Sequence, residues 1–131
     1  MTLDVARSVI DALVCEATRA APKEACGLLL GSAERIEAAV PARNVHPTPQ
    51  THFEIDPAAL IAAHKAERSG GPAITGYWHS HPTGSTAPSA TDQASASGDG
   101  KVWAIVTRGE VAFWRDAPGG FEALSTQVVA G

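Results

Sequence analysis

Ala73-Ile74-Thr75-Gly76-Tyr77-Trp78-His79-Ser80-His81-Pro82 reads as a strand that runs out into two histidines. Proline has no N–H to give to a ladder, so Pro82 ends the strand. Side chains alternate along a strand. His79 and His81 therefore share one side, with backbones roughly 6.5 Å apart, and Ser80 points the other way. Two imidazole nitrogens at that spacing can converge on one metal ion at ~2.0–2.1 Å. On spacing alone the alternative is two surface histidines at a strand end.

Downstream, Thr83 to Pro88 is a polar loop, and Ser89 to about Ser97 can form a short helix. Ser89-Ala90-Thr91-Asp92 matches a helix-capping pattern, with serine at the cap and an acid three residues on. Ten residues lie between His81 and Asp92, and the loop can bring Asp92 back towards the histidines. Two imidazoles and a carboxylate suit Zn²⁺ and leave a fourth position open. Capping and metal ligation are compatible, since a capped helix start would hold Asp92 rigidly.

Upstream, Leu3 to Ala20 has apolar residues at helical spacing (Val5, Val9, Ile10, Leu13, Val14, Ala17) and stops before Pro22. Ala25 to Gly31 reads as a buried strand and Arg35 to Val40 as a half-exposed one, joined by Ser32-Ala33-Glu34 as a hairpin. Pro41 to Gln50, with three prolines, is an irregular connection, and His52 to Ile55 looks like a short strand. Asp56-Pro57 starts a helix, as an N-cap and a first-turn proline, and Ser69-Gly70-Gly71 ends it. Val102 to Thr107 and Val111 to Arg115 form a hairpin around Arg108-Gly109-Glu110, and Phe121 to Val129 is a last strand. The expected fold is α/β of the α+β type. It comprises a single mixed β-sheet flanked by helices, with residues 1–131 as one domain.

Composition limits the function. The chain has 131 residues, a net charge of −4, 44% apolar residues and 18% charged residues, values typical of a globular domain. No basic run is present to neutralise phosphates, which argues against nucleic acid. No apolar run approaches the ~20 residues that span a bilayer, so no membrane partner is expected. Met1-Thr2-Leu3-Asp4 lacks the basic and apolar regions of a signal peptide, and a cytoplasmic location is expected. Cys15 and Cys26 read as two small buried apolar residues, although Cys26 could lie near a site. His46, His52 and His64 lack paired spacing and read as partly exposed. Glu24, Glu34, Glu54, Glu67, Glu110 and Glu122 each have a solvated-surface reading. Glu24 differs in immediately preceding an apolar strand, which could hold it at a buried sheet edge.

The residues together resemble the JAMM (MPN-domain) zinc metallopeptidases, in particular their stand-alone prokaryotic members. That family's pattern is a distant glutamate, then His-Ser/Thr-His-Pro, then Ser-x-x-Asp. Here the matching residues are Glu24, His79-Ser80-His81-Pro82 and Ser89-Ala90-Thr91-Asp92. Pro22 to Gly31, Asn44, Phe53 to Pro57 and Gly76-Tyr77-Trp78 resemble the family's surrounding segments, and the resemblance runs from about residue 1 to 115.

The resemblance implies an MPN/cytidine-deaminase-like architecture and one Zn²⁺ held by His79, His81 and Asp92. It also implies Glu24 as the general acid/base and Ser89 as the residue that steadies the oxyanion. The implied reaction is hydrolysis of a peptide or isopeptide bond after the C-terminal glycine of a ubiquitin-like or sulfur-carrier protein. Only ten residues separate Asp92 from Trp103, so there is no long insertion to clamp a distal ubiquitin. Two other readings stand beside this one: a non-catalytic scaffold of the same fold, and a zinc amidase for other peptide-like substrates. A nucleobase deaminase is disfavoured because no Pro-Cys-x-x-Cys run occurs. The sequence leaves open whether two copies form a homodimer.

Overall fold

A computed structural model describes residues 2–131. In chain order the elements are β1 (Leu3–Ala6), α1 (Arg7–Ala20), β2 (Cys26–Gly31), β3 (Arg35–Ala42), α2 (Pro57–Arg68) and β4 (Ala73–Ser80). They continue with α3 (Ala90–Ser95), β5 (Val102–Thr107), β6 (Glu110–Ala117), β7 (Gly120–Ala123) and β8 (Thr126–Val129). All eight strands form one sheet, in the order β7-β6-β5-β4-β2-β3-β1-β8. Pairing is mixed: β4 runs parallel to β5, and β1 runs parallel to both β3 and β8, while the remaining neighbours are antiparallel. The mixed sheet with flanking helices expected from sequence is therefore present.

Only Leu124 and Ser125 carry the chain from β7 at one edge to β8 at the other. Three virtual bonds reach about 11 Å at most, so the sheet must curl until its edges approach. Helix α1 fills the concave side. Its Val9 and Leu13 are buried among Leu29, Ile36, Trp78, Ala104, Val106 and Phe113. Each such side chain taken out of water contributes about 1.5–3 kcal/mol. Helix α2 covers the convex side, where Leu60 and Ala63 pack on Leu28, Ile74 and Tyr77. Asp56 caps α2 as expected, its side chain accepting from the N–H of Ala58 at 3.0 Å.

Strand β4 is held closely on both flanks. A Cβ at Gly76 would overlap the Val102 carbonyl, so glycine permits the close approach of β5. All six residues of β5 are buried, as a strand covered on both faces requires. At the β5–β6 hairpin Arg108 and Gly109 both take positive φ (50° and 81°), the geometry of a tight two-residue turn.

Four sequence expectations change. Leu3–Ala6 is a strand, not the first turn of α1. Val5 and Ala6 satisfy a helical apolar pattern, but their burial comes from pairing with β3 and β8. His52 to Ile55 is not a strand; it contributes one bridge, Asn44 to Ile55. Phe121 to Val129 is two strands on opposite edges, not one. Cys15 is exposed rather than buried, whereas Cys26 is buried opposite His79.

Candidate metal centre

The centre forms where β4 ends. His79 is the last-but-one residue of the strand and lies on the α2 side. It is fully buried, with Phe53 stacked on its ring at 4.3 Å and Trp103 edge-on at 5.7 Å. Ser80 points the other way, and its hydroxyl accepts from the Ala25 N–H at 2.8 Å. That bond ties the strand end to the residue just before β2. His81 continues in the extended direction, its N–H bonded to the Val106 carbonyl at 2.9 Å.

Asp92 arrives from α3. Ser89 caps this helix in a reciprocal box: its hydroxyl accepts from the Asp92 N–H at 3.0 Å, and its own N–H donates to Asp92 Oδ2 at 2.9 Å. The carboxylate is thereby aimed inward. Its Oδ1 lies 3.0 Å from His79 Nε2 and its Oδ2 3.0 Å from His81 Nε2, while the two Nε2 atoms are 3.1 Å apart. The capping reading and the convergence reading of Ser89 to Asp92 thus hold together.

These donors fit a metal ion. Ligands on a tetrahedron with 2.0–2.1 Å bonds sit roughly 3.3 Å from one another, close to the separations observed. His81 Nδ1 is 2.7 Å from the Ser85 carbonyl, which can only accept, so Nδ1 carries the proton and Nε2 presents its lone pair inward. Two imidazole nitrogens and a carboxylate aimed at one point leave an electrostatic demand that a divalent cation would meet. Among the described residues this trio is the cluster able to hold an ion.

Burial would raise the Asp92 carboxyl, but the adjoining His79 and His81 rings outweigh it and hold it well below the usual carboxylate range. Burial pushes His79 down, against the pull of Asp92. For His81 burial is outweighed by Asp92 and the Ser85 carbonyl, and its value rises.

Glu24 lies beside this centre. The β2–β4 register that pairs Cys26 with His79, continued two residues by the Ser80 N–H to Ala25 C=O bond, puts Glu24 opposite His81. Glu24 is 7% exposed, whereas Glu34, Glu54, Glu110 and Glu122 are exposed and Glu67 half-buried. Burial lifts its carboxyl to about 7; His81 opposes the rise and Asp92 adds to it. Glu24 opens onto a cleft of about 350 Å³ bounded by Gln50, Thr51, His81, Gly84, Ser85 and Ser89. It also borders a smaller recess of about 70 Å³ towards His46, His52 and Asp92. All five residues singled out from sequence therefore come together. His46 and His52, expected to be ordinary, stack at 4.6 Å and line the recess, while His64 stays exposed on α2.

Several supporting residues escaped sequence reasoning. The Trp114 indole N–H donates to the Thr86 carbonyl at 2.9 Å, pinning the loop between His81 and Asp92. Buried Asp116 accepts from the N–H groups of Ser97 and Gly98 at 3.0 and 3.1 Å, fixing the exit of α3. An acid at an inward position of a strand was the available signal for Asp116. Phe53 stood out only as part of a family-like segment, and Trp103 carried no signal beyond apolar type.

The family described as prokaryotic homologues of the JAB domain matches residues 6–117. A desampylase of Haloferax volcanii is 36% identical over 109 residues, covering 79% of this chain and 78% of that protein. A probable TtuB-protein conjugate cleaving protease of Thermus thermophilus is 39% identical over 92 residues, covering 70% of this chain and 62% of that protein. A Desulfitobacterium hafniense protein solved in solution superposes with a TM-score of 0.86 at 25% identity, covering 99% of this chain and 94% of its own. With its fold, its metal-ligand trio and these relatives, the chain belongs to the prokaryotic JAB-domain family.

Proposed function

We propose that the protein is a zinc-dependent isopeptidase. It cleaves the amide bond that joins the C-terminal glycine of a small ubiquitin-like or sulfur-carrier protein to an amine. The observation that carries this reading is the convergence of His79, His81 and Asp92 beside a buried glutamate at an open cleft. The relatives named as a desampylase and a conjugate-cleaving protease support the substrate class.

His79, His81 and Asp92 would hold a single zinc ion. When bound, zinc acts as a Lewis acid and makes water a nucleophile at neutral pH. Glu24 takes the proton from the attacking water and returns it to the leaving amine. A base poised near neutrality suits both transfers, because it can be emptied and filled within one turnover. The Ser89 hydroxyl oxygen accepts from the Asp92 N–H and its own proton is left to donate towards the oxyanion that develops on the substrate carbonyl. Ser80 and Trp114 keep the histidine strand and the Ser85 loop in place. Hydrolysis of a carrier–lysine isopeptide conjugate tests the proposal. The purified protein is expected to cleave it, to stop when a chelator is added and to resume on adding zinc. Zinc-loaded protein that leaves the conjugate intact but cleaves unrelated peptide amides would refute the substrate assignment.

A further inference from the structure

Glu24 precedes β2, and the sheet ladder does not hold its peptide groups. Its N–H donates to the Pro49 carbonyl at 2.7 Å, and its carbonyl accepts from Asn44 Nδ2 at 3.0 Å. Both anchors belong to the connection between β3 and α2. Asn44 also closes that connection on itself. Its second amide proton goes to the His52 carbonyl at 3.0 Å, and its Oδ1 accepts from the N–H groups of His46 and Glu54, each at 3.1 Å. A carboxamide has two donors and an oxygen with two lone pairs, and here all four are used. The segment so folded presents Thr51, His52 and Phe53 to the recess beside Glu24, with Phe53 on the His79 ring.

We infer that Asn44 is the positioning residue for Glu24, its amide nitrogen strapping the glutamate's carbonyl to the connection that packs against the metal ligands. This rests on the role proposed for Glu24. The oxygen half of the side chain only shapes the loop, through His46 and Glu54, whereas the nitrogen half places the glutamate and adds one loop bond, to His52. Asn44→Asp keeps shape and both acceptor contacts but loses the donors, whereas Asn44→Ala loses everything.

The test measures kcat, KM and zinc affinity by chelator competition for both variants, alone and combined with Glu24→Gln. We expect each single variant to lose kcat by ~10- to 100-fold, the scale of a small misplacement of a reacting group, with KM and zinc affinity unchanged. In the Glu24→Gln background neither should lower the residual rate further, because a residue that acts through Glu24 has nothing left to act on. If Asn44→Ala does not fold, Asn44→Asp alone carries the comparison. Wild-type kcat in Asn44→Asp beside an inactive Glu24→Gln overturns this inference alone. So does an equal further loss in the double variant, the mark of general loosening. A fully active Glu24→Gln overturns the role of Glu24 and this inference with it.

Discussion

Two clefts of similar volume, about 330 and 350 Å³, differ in what their charges do. In the first, near the start of β4 and β5, Glu67, Lys101, Asp99 and Arg115 lie close together. Each is spent on the backbone: Glu67 accepts from the Ile74 N–H, Lys101 donates to the Ile74 carbonyl, Arg115 donates to the Gly100 carbonyl and Asp99 accepts from the Lys101 N–H. At the other end His79 Nε2, His81 Nε2 and the Asp92 carboxylate converge on one point. The first arrangement is complete; the second asks for a cation. A charged cleft becomes a candidate site through unmet electrostatic demand, not through volume.

Substitutions at the two ends should separate accordingly. The largest effect belongs to His81→Ala, which removes one of three metal donors. Zinc affinity measured by chelator competition should collapse and conjugate cleavage fall to background. A smaller effect is expected from pH. Glu24 must be deprotonated to accept a proton, so kcat/KM should fall as pH drops through its pKa. Burial sets that value near 7 without metal, and a bound cation pulls it down, so the acid limb should lie below about 7. An acid limb that is unchanged in Glu24→Gln would assign it to another group. The smallest effect belongs to the other cleft. Lys101→Met should cost about 0.5–1.5 kcal/mol, the net worth of a hydrogen bond, read as a modest loss of thermal stability with kcat unchanged. A lost turnover there would erase the contrast between the ends.

The same contrast separates what was legible in the sequence from what was not. The histidine strand, the capped turn carrying Asp92 and the Asp56 cap of α2 are local patterns, and local physics specifies them. Pairing between distant strands is not local. Val5 and Ala6 look like helix residues until β3 and β8 lie beside them, and no pattern within Phe121 to Val129 says that the chain changes edge at Ser125. Glu24 shows why a site can be half legible. Its spacing is unremarkable, and its burial arises from the register that sets β2 against β4. Its place just before an apolar strand set it apart from the other glutamates, but only the resemblance to a family implied a role for it. Trp114 and Asp116 support the metal loop from a strand whose position beside it depends on the whole sheet order.

The most direct test of the central claim is one comparison, conjugate cleavage by wild-type protein and Glu24→Gln, each loaded with one zinc per chain. Zinc content should be equal and the rate of Glu24→Gln lowered by ~10²- to 10⁴-fold, the range for loss of a general acid/base. Equal rates at equal zinc content would contradict the claim.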